Sequence, residues 1–125
     1  MSPENKKKLE KIRVKLDKLD NKLLALIKYR TSLVKEVLKL KEFKKEIVDQ
    51  KRIKFILNKI KGKSKKLKID PKITNRIWKN MILSYIDYER RNFKKKISKR
   101  FQKISKSSKK LPLFSFIPLI FAYKK

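Results

Sequence analysis

The 125-residue sequence has no cysteine, no histidine and a single glycine. Without thiols there is no disulfide framework and no thiolate nucleophile, and without imidazole the usual base and metal ligand near neutral pH is missing. A triad nucleophile and a zinc centre are therefore not expected. One glycine and four prolines leave little material for tight β-turns, while 40% hydrophobic residues suffice for one helical domain. Acidic residues are scarce as well, 11 against 40 basic ones, for a formal charge of +29. That charge points towards nucleic acid or an anionic surface. However, lysine makes up 33 of the 40, and the chain is also rich in Ile, Asn and Phe, a profile that genome-wide composition bias produces. The seven arginines then become informative. Where a point charge serves, this sequence uses Lys, so Arg13, Arg30 and Arg52 suggest planar, bidentate recognition of a carboxylate. No apolar core follows the lysines of MSPENKKKLE, so no signal peptide is read there and a cytoplasmic location is expected.

What is present is organised around Ile12 to Lys41, IRVKLDKLDNKLLALIKYRTSLVKEVLKLK. From Leu9 the apolar positions step by three and four through Ile12, Leu16, Leu19, Leu23, Leu26, Leu33, Val37 and Leu40, the seam of a long helix that packs on another helix. The position due between Leu26 and Leu33 is Arg30. A guanidinium in an apolar seam keeps its charge and its donors, so it calls for an anion or several acceptors. The alternative is an arginine that packs its stem and reaches water with its head. Lys41, eleven residues on, returns at about 100° per residue to within about 20° of the Arg30 face, roughly 16 Å further along. Two such cations can hold one small dianion. Arg13 sits about 100° round the helix and roughly 25 Å from Arg30. It reaches the same ligand only from a second, antiparallel copy; if Arg13 belongs to the site, the protein is a dimer.

The same periodicity predicts three helices of unequal length. The first spans about residues 4 to 42, and Asp49 starts a second, DQKRIKFILNKIK, with Ile53, Ile56, Leu57 and Ile60 buried and Gly62 as a left-handed stop. Asp70-Pro71 opens a third that runs to at least Phe93. Its apolar stripe is Trp78, Ile82, Tyr85 or Ile86, and Phe93, and Glu89 falls where a hydrophobe is due. A carboxyl in that place donates a hydrogen bond when protonated. The alternative is an ordinary ion pair with a lysine of the first helix.

Over about residues 9 to 93 the chain resembles the all-helical chorismate mutases. IRVKLDKLDNKLLALIKYR is similar to that family's first-helix signature, with Arg13, Asp20 and Arg30 at its spacing. Lys41 follows, IVDQKR supplies Asp49 and Arg52, and WKNMILSYIDYE puts Glu89 where the family has Gln, or Glu in some members. The resemblance implies an all-α domain over residues 1–93, three helices with a long first one, in an intertwined homodimer whose two sites are shared between chains. It also implies an isomerase that rearranges chorismate to prephenate, in the Phe/Tyr branch of aromatic amino acid biosynthesis, without cofactor or metal. Arg13 of one chain and Arg30 and Arg52 of the other would bind the carboxylates of chorismate. Lys41 and Glu89 would flank its ether oxygen, Asp49 would hold the ring-hydroxyl region, and Val37 and Ile82 would supply apolar walls. Arg30, Lys41 and Glu89 are the residues expected to carry catalysis. A concerted pericyclic shift needs no nucleophile, only a reactive conformer held in place and donors aimed at the breaking bond.

Two positions depart from the family pattern. Glu usually follows the second-helix arginine, and here that position is Ile53; Ser is common four residues before Glu89, and here it is Tyr85. Both remain substrate-contact positions in this reading. An apolar residue at the first and an aromatic at the second also resemble the isochorismate-pyruvate lyases, and aminodeoxychorismate mutase is a further alternative on the same fold. Glu89 leans back towards the mutases. A reading from another class, a basic helical nucleic-acid binder, draws on residues 94 to 110, with nine basic residues and no acidic one. Such a run is usually a solvated extension, and aromatics for base stacking are few, so nucleic acid is not the expected partner. LPLFSFIPLIFAYKK is apolar but too short, and broken by Pro112 and Pro118, to span a membrane. Whether it touches a membrane is left open. Residues 94–125 form an extension of unassigned role.

Overall fold

Each helix of this chain begins where a short polar side chain satisfies the free N–H groups of a first turn. Ser2 caps α1 (Pro3–Leu40), its Oγ accepting from the Asn5 N–H at 3.2 Å. Asp49 caps α2 (Gln50–Lys66), its Oδ1 accepting from the Arg52 N–H at 3.0 Å. Asp70 does the same before α3 (Pro71–Ser108), with Oδ1 2.9 Å from the Lys72 nitrogen. The computed structural model describes residues 1–108; with a 3-10 turn at Lys44–Glu46 these three helices are its architecture, and no strand occurs among the described residues. None of the described helices is long and apolar enough to cross a membrane. The chain divides into two units, Met1–Glu46 and Ile47–Lys125.

In the first unit, α1 is 38 residues long, about 57 Å at 1.5 Å per residue. It stops at Leu40 rather than 42, because Lys41 turns to an extended conformation and its N–H donates back to the Leu38 carbonyl at 3.2 Å. The apolar seam forms as its spacing predicts, but it is uncovered: Leu16, Leu19 and Leu23 are 51%, 51% and 48% exposed. Leu38 alone in this helix is buried.

The second unit is a helical hairpin in which α2 and α3, joined by Leu67 to Asp70, pack on each other. Ile53, Ile56, Leu57 and Ile60 turn their half-buried stripe to this packing, and Ser64 continues it one turn further, fully covered. The Ser64 hydroxyl donates to the Ile60 carbonyl at 2.6 Å and shares a hydrogen bond of 2.7 Å with the Thr74 hydroxyl, pinning α2 to α3. That bond explains why the expected stop at Gly62 is wrong. The helix passes through Gly62 without a left-handed residue and ends at Lys66; the left-handed residue is Lys68, at φ 58°. Here the Ile69 N–H closes on the Ser64 carbonyl at 2.9 Å, so the anchored serine, not the glycine, sets the end of α2.

On α3, Thr74, Glu89 and Phe93 are buried, and Trp78, Met81, Ile82, Tyr85 and Ile86 are half-buried along the same stripe. Beyond Phe93 the helix continues unbroken through the basic residues to Ser108. Residues 109–125, including the apolar stretch with Pro112 and Pro118, lie outside the described residues.

Candidate active site

In the first unit the candidate residues sort into a covered face and an exposed one. Arg30 is half-buried and shares a stripe of α1 with Val34 and Leu38, and Lys41, also half-buried, lies just past the end of that helix. Arg30 is more covered than its seam neighbours Leu26 and Leu33, which are 63% and 41% exposed. Val37, close to Arg30 on the helical wheel, is exposed. Arg13 lies in the open, its guanidinium 3.0 Å from the Glu10 carboxylate three residues earlier. A salt bridge so exposed is worth well under about 1 kcal/mol and gives way readily to a stronger anion.

In the second unit Asp49, Arg52 and Ile53 sit together at the start of α2. One carboxylate oxygen of Asp49 is committed to the helix cap. The exposed Arg52 guanidinium stacks over the Phe55 ring at 5.3 Å, which holds its plane while leaving its N–H edge to solvent. On α3, Tyr85 is half-buried and Glu89 is 8% exposed, so the carboxyl does lie in the apolar stripe, as the spacing indicates.

Ile53 and Ile82 come together. They line one cleft of about 360 Å³ between α2 and α3, with Leu57 and Ile86 as further apolar walls and Lys79 and Arg90 also among its lining residues. The sequence reading passed over those two cations. The signal was available: Lys79, Ile82, Ile86 and Arg90 are spaced three and four apart, so they share one face of α3.

Several of the described hydroxyls are committed to the backbone. Those of Thr31, Ser32, Ser64 and Ser84 donate to carbonyls of their own helix at 2.6 to 2.8 Å. What these elements present is cations, a buried carboxyl and apolar walls, which suits binding and electrostatic stabilisation of an anion rather than covalent catalysis.

Comparison with known proteins agrees with that chemistry. The profile of the family described as chorismate mutase type II matches residues 12–90, more than half of the chain. A chorismate mutase of Methanocaldococcus jannaschii is 38% identical over 76 residues, which cover 60% of this chain and 77% of that protein. No solved structure matches the chain significantly. The matched span holds the Arg30 stripe, the α2 cap and the Glu89 stripe, and the chain belongs to the chorismate mutase type II family.

Proposed function

We propose that this chorismate mutase rearranges chorismate to prephenate in the Phe/Tyr branch, working as an intertwined homodimer over residues 1–93 with two identical sites. In each, Arg13 from one chain and Arg30 and Arg52 from the other hold the two carboxylates. Lys41 and Glu89 donate to the ether oxygen as its bond to carbon breaks and the new carbon–carbon bond forms. Asp49 takes the ring-hydroxyl region through the carboxylate oxygen not used by the helix cap. Val37, Ile53, Ile82 and Tyr85 shape the apolar walls that keep the side arm over the ring. Electrons move in one cycle within the substrate, so the protein supplies position and charge and stays unmodified.

The observation that carries the dimer is the uncovered seam of α1. Nine apolar side chains there are exposed or half-buried, and closing two copies would bury eighteen at about 1 kcal/mol each, half of a fully buried side chain. That gross gain, on the order of 18 kcal/mol, exceeds the ~4–15 kcal/mol cost of association. For the chemistry the support is the burial of Glu89 beside Tyr85 on α3 together with the half-buried cations Arg30, on α1, and Lys41, at its end. A second reading, isochorismate-pyruvate lyase, is favoured by Ile53, which puts an aliphatic wall in the cleft where the family usually has a carboxylate.

One assay decides between them. Purified protein is given chorismate and, separately, isochorismate, and the products are identified. Prephenate from the first is expected; salicylate and pyruvate from the second, with no prephenate from the first, would replace this reading by the lyase.

A further inference from the structure

One pairing of acid and arginine occurs twice in this chain, and its two copies end differently. Glu10 and Arg13 on α1, and Asp49 and Arg52 at the start of α2, stand three residues apart, a spacing at which exposed opposite charges meet on a helix. On α1 the pair closes, with 3.0 Å between the Arg13 guanidinium and the Glu10 carboxylate. On α2 it stays open: among the described residues no carboxylate pairs with the Arg52 guanidinium. One oxygen of Asp49 accepts from the Arg52 N–H at 3.0 Å, which fixes the backbone of Arg52 and leaves its charge alone.

What differs is the next residue on the same face. Three positions after Arg13 the helix carries Leu16; three after Arg52 it carries Phe55, with the guanidinium 5.3 Å from the ring centroid. At an exposed site a cation over a ring face is favoured by roughly two- to fivefold, as much as an exposed ion pair of this spacing, so the ring competes with the carboxylate on equal terms. Lys59, four residues beyond Phe55, approaches the same ring at 5.6 Å, and a swing of Arg52 towards the middle of α2 meets that like charge. Phe55 has little part in the core of the hairpin. It is 54% exposed, outside the stripe of Ile53, Ile56, Leu57 and Ile60.

We propose, on the reading above in which Arg52 and Asp49 bind substrate, that Phe55 is a positioning residue whose ring holds the Arg52 guanidinium off the neighbouring Asp49 carboxylate. An Asp49–Arg52 ion pair would occupy both groups at once, and substrate would have to break it in order to bind. With the ring in place, the guanidinium keeps its plane and offers two N–H groups of one edge to a carboxylate, while the Asp49 oxygen not used by the cap stays an acceptor. Phe55 acts through Arg52 rather than on the reacting atoms.

The test is steady-state kinetics of the full chain with chorismate, for a series of residues at position 55 in the parent and in Arg52→Ala. Phe55→Leu is expected to raise KM about three- to fivefold, the shift that an exposed cation–π contact supports, with kcat within about twofold, because the carboxylate contact is made in the ground and transition states alike. Phe55→Tyr and Phe55→Trp keep a ring face and hold KM at the parent value. Arg52→Ala raises KM at least about tenfold, and adding Phe55→Leu to it changes nothing further. Independently of turnover, the Arg52 δ-methylene proton resonances are shifted upfield by the ring in the parent and in Phe55→Tyr, and lose that shift in Phe55→Leu, whose Tm stays with the parent. No such shift in the parent overturns the stacking itself. An unchanged KM in Phe55→Leu, while Arg52→Ala raises it, overturns the positioning role and leaves Arg52 in the site. An unchanged KM in Arg52→Ala removes Arg52 from the site and the role of Phe55 with it. A rise in KM that Tyr and Trp share with Leu, or that persists in Arg52→Ala, ties Phe55 to something other than Arg52 and also overturns the proposal.

Discussion

α1 and α3 are both 38 residues long, yet they solve burial in different ways. The stripe of α3 has α2 to pack on: Thr74, Glu89 and Phe93 are buried, and Trp78 to Ile86 contribute half-buried side chains between them. The seam of α1 holds more aliphatic residues than that stripe, and most of it faces outward. A hairpin closes its own core, so polar residues inside it, such as Ser64 and Thr74, are fixed by the fold of one chain. A long helix with an open seam borrows its core, so a polar residue in it, such as Arg30, owes part of its environment to whatever covers the seam. In the dimer proposed above that cover is a second α1.

The largest expected effect comes from breaking the seam where the hairpin is untouched. Leu19→Glu/Leu23→Glu places four carboxylates in the core of a dimer, each costing several kcal/mol when buried without a partner. We expect a monomer by light scattering and activity below about a thousandth of the parent. The equivalent change on an outward face, Leu24→Glu, leaves both intact. Dimeric, active Leu19→Glu/Leu23→Glu protein would remove the seam from the interface.

Next is the arginine that the seam surrounds. If Arg30 clamps a carboxylate, Arg30→Lys loses a bidentate charge-assisted pair worth about 3 kcal/mol, and kcat/KM falls at least about a hundredfold. Thermal stability holds, because an arginine awaiting its ligand does not stabilise the helix that carries it. A variant with unchanged kcat/KM would return Arg30 to the role of a packed surface residue. The same residue sharpens the comparison further. Mixing inactive Arg13→Ala with inactive Arg30→Ala chains should, after subunit exchange, restore about a quarter of the sites, since half the dimers are mixed and each has one intact site. Demonstrated exchange without recovery would mean that each chain builds its own site.

On the hairpin side the corresponding residue is Glu89, and the expected effect is smaller and depends on the replacement. Gln donates a hydrogen bond from the same place, so Glu89→Gln keeps kcat within about tenfold; Glu89→Ala removes the donor and costs about a hundredfold or more. If both variants fall equally, the carboxylate itself is required, and the donor role fails.

How far all this could be read in advance depends on which interactions are local. The caps at Ser2, Asp49 and Asp70, the seam of α1 and the intrusion of Glu89 into an apolar stripe follow from residue type and helical spacing, which one chain contains in full. Lys79 and Arg90 were legible by the same spacing with Ile82 and Ile86, and escaped notice because lysine is common everywhere in this sequence. The helical course of residues 94–108 was legible as well, since Ile97, Phe101 and Ile104 continue the stripe from Phe93 at spacings of four, four and three, and it was passed over because cations outnumber those apolar residues. The end of α2 was misread for a different reason: the bond between Ser64 and Thr74 spans ten residues, and no local rule weighs it against a glycine.

That misreading leads to the smallest effect, and one with the opposite sign. Gly62 lies inside α2, with no positive φ, and a Cβ built on it meets nothing within 4 Å. The residue therefore bears the entropic cost of glycine in a helix without using its freedom. Gly62→Ala should stabilise each chain by about 0.5–1 kcal/mol, partly by restricting the unfolded state, and raise Tm by roughly 2–6 °C. Activity should not change, since the α1 seam and the candidate site residues are untouched. Were Gly62 the helix stop that its identity suggests, alanine would have to adopt a left-handed conformation and Tm would fall instead, so the sign of one calorimetric shift separates an end of α2 set by glycine from one set by the Ser64 anchor.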